Sequence, residues 1–286
     1  MSNSSISLVI ASRNRAEVIE RFLKCLTGIE WPKATEVIVV NNGSTDSTAE
    51  ILKSYLNTLP LRIAEMPLKG KSLALNRGIT QATGDLIVFA DDDIEFRPDW
   101  LMQWSEIAGR YPSYGVFGGK IRVNESAVPN WIRRSHNLHE MLMSEHDLGN
   151  APKPYPSNRY PIGPNMAVRR SLLEGIDTPW PIDLGPGTRI PLGDEYGFLV
   201  RLSRPEAQDR LYVPSPEVVH TPDSLSFPNA VRRCFLGGLA AGKLGRRYRA
   251  ACLSAPMGRL MRDRLASCHS LRELCCMSVR AAGVTA

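Results

Sequence analysis

Hydrophobic positions in the first hundred residues follow two alternating patterns. Short unbroken apolar runs occur at Ser7-Leu-Val-Ile-Ala11, Glu36-Val-Ile-Val-Val40 and Asp85-Leu-Ile-Val-Phe-Ala90. Runs of this kind predict strands buried on both faces. Leu61 to Glu65 predicts a shorter strand. Between the first two runs, Val18, Ile19, Phe22, Leu23 and Leu26 recur at helical spacing over Ala16 to Leu26. Asn42-Gly43 predicts a turn, and Ser44 to Ser47 offers caps for a helix through about Tyr55. Ser72 to Ala82 predicts a further helix, closed by Thr83-Gly84.

Strands separated by helices predict an α/β fold with a mostly parallel sheet and helices on both faces. Ligands bind such sheets beyond the carboxyl ends of the strands. Arg13-Asn14, Asn41-Asn42 and Asp91-Asp92-Asp93 all fall there. Pro129 to Pro164 is rich in Pro, Asn, His and Ser and predicts a long shaped loop region. Regular structure is expected again at Tyr160 to Arg169, at a helix near Glu195 to Leu202, and at Leu211 to His220. Val231, Phe235, Leu239 and Leu244 predict an amphipathic helix over Asn229 to Tyr248, interrupted by Gly237, Gly238 and Gly242. The pattern beyond Ala250 is irregular.

Composition adds scale. The chain has 286 residues, 43% of them hydrophobic, enough for one large domain at 1–228 and an accessory segment at 229–286. Met1 to Arg15 lacks a secretory pattern, and no run reaches the roughly 20 apolar residues of a membrane span, so the expected compartment is the cytoplasm. Six cysteines without Cys-x-x-Cys spacing predict reduced thiols. The net charge of +6 is uneven: Asn229 to Ala286 holds eleven Lys and Arg against Asp263 and Glu273. A basic amphipathic helix can lie on an anionic membrane surface, or pack its apolar face on the protein with its arginines in water.

The acidic run carries the chemistry. Three adjacent carboxylates repel one another unless a cation sits among them. Asp91 and Asp93, two apart, can turn their oxygens toward one point, and hard oxygen ligands suit Mg²⁺ or Mn²⁺ with phosphates and water.

Taken together, these motifs resemble the family 2 glycosyltransferases. Ser7 to Arg15 is similar to the family's opening strand and nucleotide loop. Glu36-Val-Ile-Val-Val-Asn-Asn-Gly-Ser-Thr-Asp46 is similar to its second strand and turn. Lys69 to Gly78, Gly163-Pro-Asn-Met-Ala-Val-Arg-Arg170 and Gly193-Asp-Glu195 follow in the family's order, over about residues 6 to 248. The resemblance implies a GT-A-type Rossmann-like sheet with a C-terminal helical extension. It also implies a nucleotide-binding half at 1–120 and an acceptor-binding half at 121–228.

Site roles follow from the resemblance. Asp91 and Asp93 would hold Mn²⁺ or Mg²⁺, with His220 as a further ligand or a structural histidine, and Asp92 would support the turn or the ribose. Arg13, Asn41, Asn42, Lys71 and Asn76 would contact the nucleotide, although Lys71 also reads as a solvated surface lysine. Gly163 and Asn165 would line the donor sugar. Glu195, or else Asp194, would be the base of an inverting transfer. Leu184 to Gly187 would shape the loop before the base, and Trp131, His136 and Trp180 are candidates for stacking on an acceptor sugar. Family members often carry Asp where this chain has Asn41 and Asn42, which leaves the base less defined, a UDP-sugar being the expected donor. The expected acceptor is a carbohydrate or a lipid-linked one, with no nucleic-acid partner and with peripheral membrane contact through the tail. A non-catalytic nucleotide-sugar-binding relative and a nucleotidyltransferase are the competing readings. Ala11 to Arg15 has no glycine for the phosphate loop of a nucleotidyltransferase, and no Gly-x-Gly-x-x-Gly follows the first strand.

Overall fold

A computed structural model describes residues 4–156, 159–202, 210–247 and 271–285. The expected alternation forms β1 (Ile6–Ser12), α1 (Ala16–Leu26), β2 (Thr35–Asn41), α2 (Thr48–Ser54), β3 (Leu61–Glu65), α3 (Lys71–Ile79) and β4 (Leu86–Ala90). The chain then adds β5 (Ile94–Phe96), α4 (Trp100–Arg110), β6 (Val116–Val123), α5 (His136–Met143), β7 (Lys153–Pro154), β8 (Asn165–Arg169), α6 (Asp194–Arg201), β9 (Arg210–His220) and α7 (Phe227–Arg247). A last helix, α8, spans Leu271–Thr285.

Among the described residues one sheet runs β3-β2-β1-β4-β8-β6-β9-β5, with β7 paired to β9. β3, β2, β1 and β4 are mutually parallel, while β8 runs antiparallel to both β4 and β6. The sheet is therefore mixed, and it continues through both expected halves of 1–228.

The unbroken apolar runs have the predicted cause. Leu8, Ile10, Val37, Val39, Leu86 and Val88 pack on one face against α1, α2 and α4. Val9, Ile38, Val40, Ile87 and Phe89 pack on the other, against α3 and α6. The region read as a long loop contains α5. That helix is capped by Ser135, whose side chain accepts the Leu138 N–H, and it packs with α7 and α8 in a third cluster. The irregular tail likewise contains α8. No helix among the described residues is long and apolar enough to cross a membrane.

Candidate active site

The acidic run occupies the tight reversal between β4 and β5. Ile94 pairs with His220 at the end of β9, and Thr221 N–H donates to the Asp93 carbonyl at 2.9 Å. The sheet thus brings His220 beside Asp93 across 127 residues of sequence. A cleft of about 670 Å³ opens here. Arg13, Asn42, Lys71, Asp91, Asp92, Asp93 and His220 line it, as do Ser12, Arg15, Lys69 and Gly70.

The three carboxylates have different partners. Lys71 Nζ donates to Asp91 Oδ1 at 2.5 Å. Asp92 is buried; Ser12 Oγ donates to it at 2.6 Å, and Arg15 Nε stands 3.0 Å away, out of line for a hydrogen bond. Burial lifts the Asp92 carboxyl to about 6, with Arg15 opposing. Asp93 Oδ2 accepts from Arg15 Nη2 at 2.8 Å, yet its Oδ1 is buried without a hydrogen bond.

His220 Nε2 stands 3.4 Å from that oxygen. The other ring nitrogen, Nδ1, is 2.8 Å from the Met143 carbonyl, which can only accept, so Nδ1 carries the proton. In a neutral ring, Nε2 then presents a lone pair to an unpartnered carboxylate oxygen. Such an arrangement invites a positive charge between them, either a proton or a metal ion. Consistent with this, burial disfavours charge on His220, but Asp93 raises its pKa; burial likewise opposes ionisation of Asp93, but His220 and Arg15 hold it low.

Asp91 is paired with Lys71, and Asp93 with Arg15. Among the described residues no three His, Cys, Asp or Glu side chains form a ready-made metal cage. Mg²⁺-type ions in nucleotide sites need fewer protein ligands, since phosphates and water complete the shell. The Asp93 oxygen without a hydrogen bond, with His220 Nε2 3.4 Å away, fits that requirement.

A second acidic pair starts α6. Asp194 is fully buried beneath Gly185, where a Cβ would come within 2.5 Å of its Oδ2. Gly185 has φ +88, so the position demands glycine for both backbone and space. Burial and the Glu195 charge push Asp194 well above the usual carboxylate range. Glu195 is only partly buried, and it occupies the space left by the missing side chain of Gly163, whose Cβ would lie 3.3 Å from Oε1. Neither carboxylate is itself part of the cleft lining, which reaches their neighbours Pro191 and Leu192.

Lys71 connects the two acidic groups. Burial works against its charge, but Asp91, Asp194 and Glu195 hold its ammonium above the usual lysine range. Its backbone N–H donates to Pro186 O at 2.9 Å, and Gly187 packs on Gly70. The 184–187 loop therefore ties the start of α3 to the start of α6. Lys71 is thus no solvated surface lysine.

Several of the expected contact residues also brace the fold. Asn41 donates to Glu65 and accepts from Ser44 N–H, and it does not line the cleft. Asn42 donates to the Met66 and Leu68 carbonyls and accepts from Gly70 N–H. Arg13 donates to the carbonyls of Asn42 and Gly43. Asn76 brackets Trp180 through both of its backbone groups, and Asn165 is held by Lys120 O, Pro216 O and Trp100 Nε1. The amides of Asn76 and Asn165 are buried within the fold rather than turned to a ligand. Trp180 stacks on Phe198 with ring centroids 4.3 Å apart, and Trp131 packs edge-on against Phe227, so both rings serve packing. The side chain of His136 lies outside the described residues.

The sequence reading missed Ser12, Arg15 and the cleft face of α7, where Asn229, Arg232 and Arg233 lie. Arg15 sits in the loop quoted for the nucleotide, but nothing in its spacing separates it from Arg13.

Comparison with known proteins decides the family. A sequence model described as Glycosyl transferase family 2 matches residues 7–177. The chain belongs to glycosyl transferase family 2. Poly-beta-1,6-N-acetyl-D-glucosamine synthase of Staphylococcus epidermidis is 30% identical over 125 residues, 43% of this chain and 30% of that protein. Glycosyltransferase AglE of Haloferax volcanii is 36% identical over 130 residues, 44% of this chain and 41% of that one. The chain thus spans less than half of either family 2 relative. Among solved structures, a mannosyltransferase, PcManGT from Pyrobaculum calidifontis in complex with GDP-Man and Mn²⁺, superposes with a TM-score of 0.65. That match has 20% identity and covers 99% of this chain and 81% of the other. S. aureus TarS in complex with UDP-GlcNAc gives 0.58 at 16% identity, covering 90% and 78%. These likenesses confirm the GT-A fold of the family 2 chain.

Proposed function

We propose that this chain transfers a sugar from a nucleoside diphosphate sugar to an acceptor hydroxyl with inversion at the anomeric carbon. The observation that carries the reading is the unpartnered Asp93 Oδ1 facing His220 Nε2 inside the cleft. Asp93 and His220, with Asp91, would hold Mn²⁺ or Mg²⁺. A divalent ion there supplies Lewis-acid stabilisation of the departing diphosphate. Two solved neighbours, described with GDP-Man and Mn²⁺ and with UDP-GlcNAc, support a nucleotide-sugar donor.

The chain's own residues do the rest. Lys71 adds a fixed positive charge beside Asp91, where charge grows on the leaving group. Arg15 and Ser12 keep Asp92 and Asp93 in place. Glu195 takes the acceptor proton as the new bond forms. Asp194 is the weaker candidate, because it is sealed under Gly185 and biased toward its protonated form. A single base and no covalent sugar–enzyme intermediate require inversion, and product of retained configuration would contradict this.

The setting is glycan assembly, in line with the polysaccharide-building relatives. The base stays open between uracil and guanine, since the Asn41 and Asn42 amides are engaged within the fold. A screen of UDP- and GDP-sugars, reading out free nucleoside diphosphate, tests the proposal. Release with Mn²⁺ that stops on chelation is expected; no release from any donor, with or without metal, would count against it.

A further inference from the structure

The α7 face of the cleft carries positive charge that the reaction described above does not use. Asn229, Arg232, Arg233 and Leu236 line the cleft and are spaced i, i+3, i+4, i+7, one stripe of the helix. The opposite stripe, with Ala230, Cys234, Gly237 and Gly238, is buried. Gly238 lies so close to α8 that a Cβ would come within 2.1 Å of Arg280 O. Packing on both sides therefore fixes the rotation of α7 and aims the two arginines at the cleft. Of the described tail arginines, Arg232 and Arg233 line the cleft and Arg247 pairs with Asp183.

On the opposite wall, Lys71 pairs with Asp91, and Arg15 pairs with Asp92, Asp93 and Asp223. Further along α7, Lys243 and Arg247 both pair with Asp183. Among the described residues no carboxylate stands in ion-pair contact with Arg232 or Arg233. The amino end of α7, at Phe227, adds its partial positive charge to the same wall. Leu192, Leu225 and Leu236 supply apolar surface around the pair.

We propose that Arg232 and Arg233 bind a phosphate group carried by the acceptor. The inference rests on the transferase reading, which assigns the donor diphosphate to the wall of Asp91, Asp93 and Lys71. Two guanidiniums beside apolar surface suit a phosphate attached to a hydrophobic chain or to a sugar.

Calorimetry on the full chain tests this. Protein saturated with Mn²⁺ and UDP or GDP is titrated with octyl phosphate, glucose 1-phosphate and neutral octyl glucoside. Both phosphates bind and the glucoside does not; the tighter phosphate identifies a lipid or a glycan source. The double variant R232Q/R233Q weakens phosphate binding by about tenfold or more, from the loss of charge-assisted hydrogen bonds, and leaves Mn²⁺–nucleotide affinity within about twofold. Unchanged phosphate binding in the variant overturns the proposal, as does a parallel fall in nucleotide affinity, which would move the arginines to the donor. Failure of the wild type to bind any Mn²⁺–nucleoside diphosphate defeats the transferase reading instead, and the phosphate titration without nucleotide still reports on α7.

Discussion

Asp91–Asp93 at the end of β4 and Asp194–Glu195 at the start of α6 have the same side-chain chemistry and opposite surroundings. The first group has Arg15, Lys71 and His220 against it, and Asp93 is held ionised. The second faces Lys71, and burial drives Asp194 toward its neutral form. Paired cations make a carboxylate a permanent anion that can hold a metal ion, whereas scarce cations let a carboxylate take up a proton. One lysine on α3 faces both groups, so the proposed metal group and the proposed base group are electrostatically joined.

Variants in each group separate the two roles. Glu195→Gln removes the proposed base and keeps the shape; kcat falls by about 10²–10⁴-fold, while the affinity for Mn²⁺–nucleoside diphosphate is retained. Equal loss of nucleotide binding would merge the two groups into one. Asp93→Ala removes several kcal/mol of cation-assisted stabilisation, a loss of about 10³-fold in turnover that extra Mn²⁺ partly restores. Turnover insensitive to Mn²⁺ in both proteins would break the comparison. His220→Ala weakens apparent Mn²⁺ affinity by about 10–100-fold, measured as the metal concentration for half-maximal activity.

Outside both groups, a neutral buried histidine supplies the smallest effect. His146 is pushed down to about 4 by burial, with Arg159 acting the same way, and its Nε2 is 2.7 Å from Tyr155 Oη. Its folded pKa lies below its ordinary value of 6.5, so its contribution to stability is complete above pH 6.5 and is lost as pH falls through about 4. Between pH 7 and pH 5 the loss is on the order of 2 kcal/mol. Because Asp92 and Asp194 titrate in both proteins with the opposite sign, the test is the difference in urea stability between the wild type and His146→Asn, which should shift against the wild type by this amount between pH 7 and pH 5.

The parallel half of the sheet was legible because β1, β2 and β4 are buried on both faces and therefore read as unbroken apolar runs. β6 was not, since Gly118, Gly119 and Lys120 interrupt it. Those glycines make room for Tyr155 Oη and the Asn165 amide, contacts from distant segments that no local pattern announces. Asp91–Asp93 stood out as charges directly after a buried strand, whereas Asp194–Glu195 were singled out only through the family resemblance. The asparagines did not divide into ligands and braces, because an amide that holds a loop and one that holds a base have the same spacing in sequence. Arg232 and Arg233 raised the same difficulty: charge is visible in the sequence, but the direction it faces depends on how α8 packs.

The most direct test of the central claim is the affinity of a nucleoside diphosphate for the wild type, Asp93→Ala and Glu195→Gln, each with Mn²⁺ and with chelator. Binding that requires Mn²⁺, survives in Glu195→Gln and is strongly weakened in Asp93→Ala at the same Mn²⁺ concentration is the predicted result. Binding of equal strength with and without metal, or lost equally in both variants, would contradict a cation site at Asp93 and His220 separate from the base.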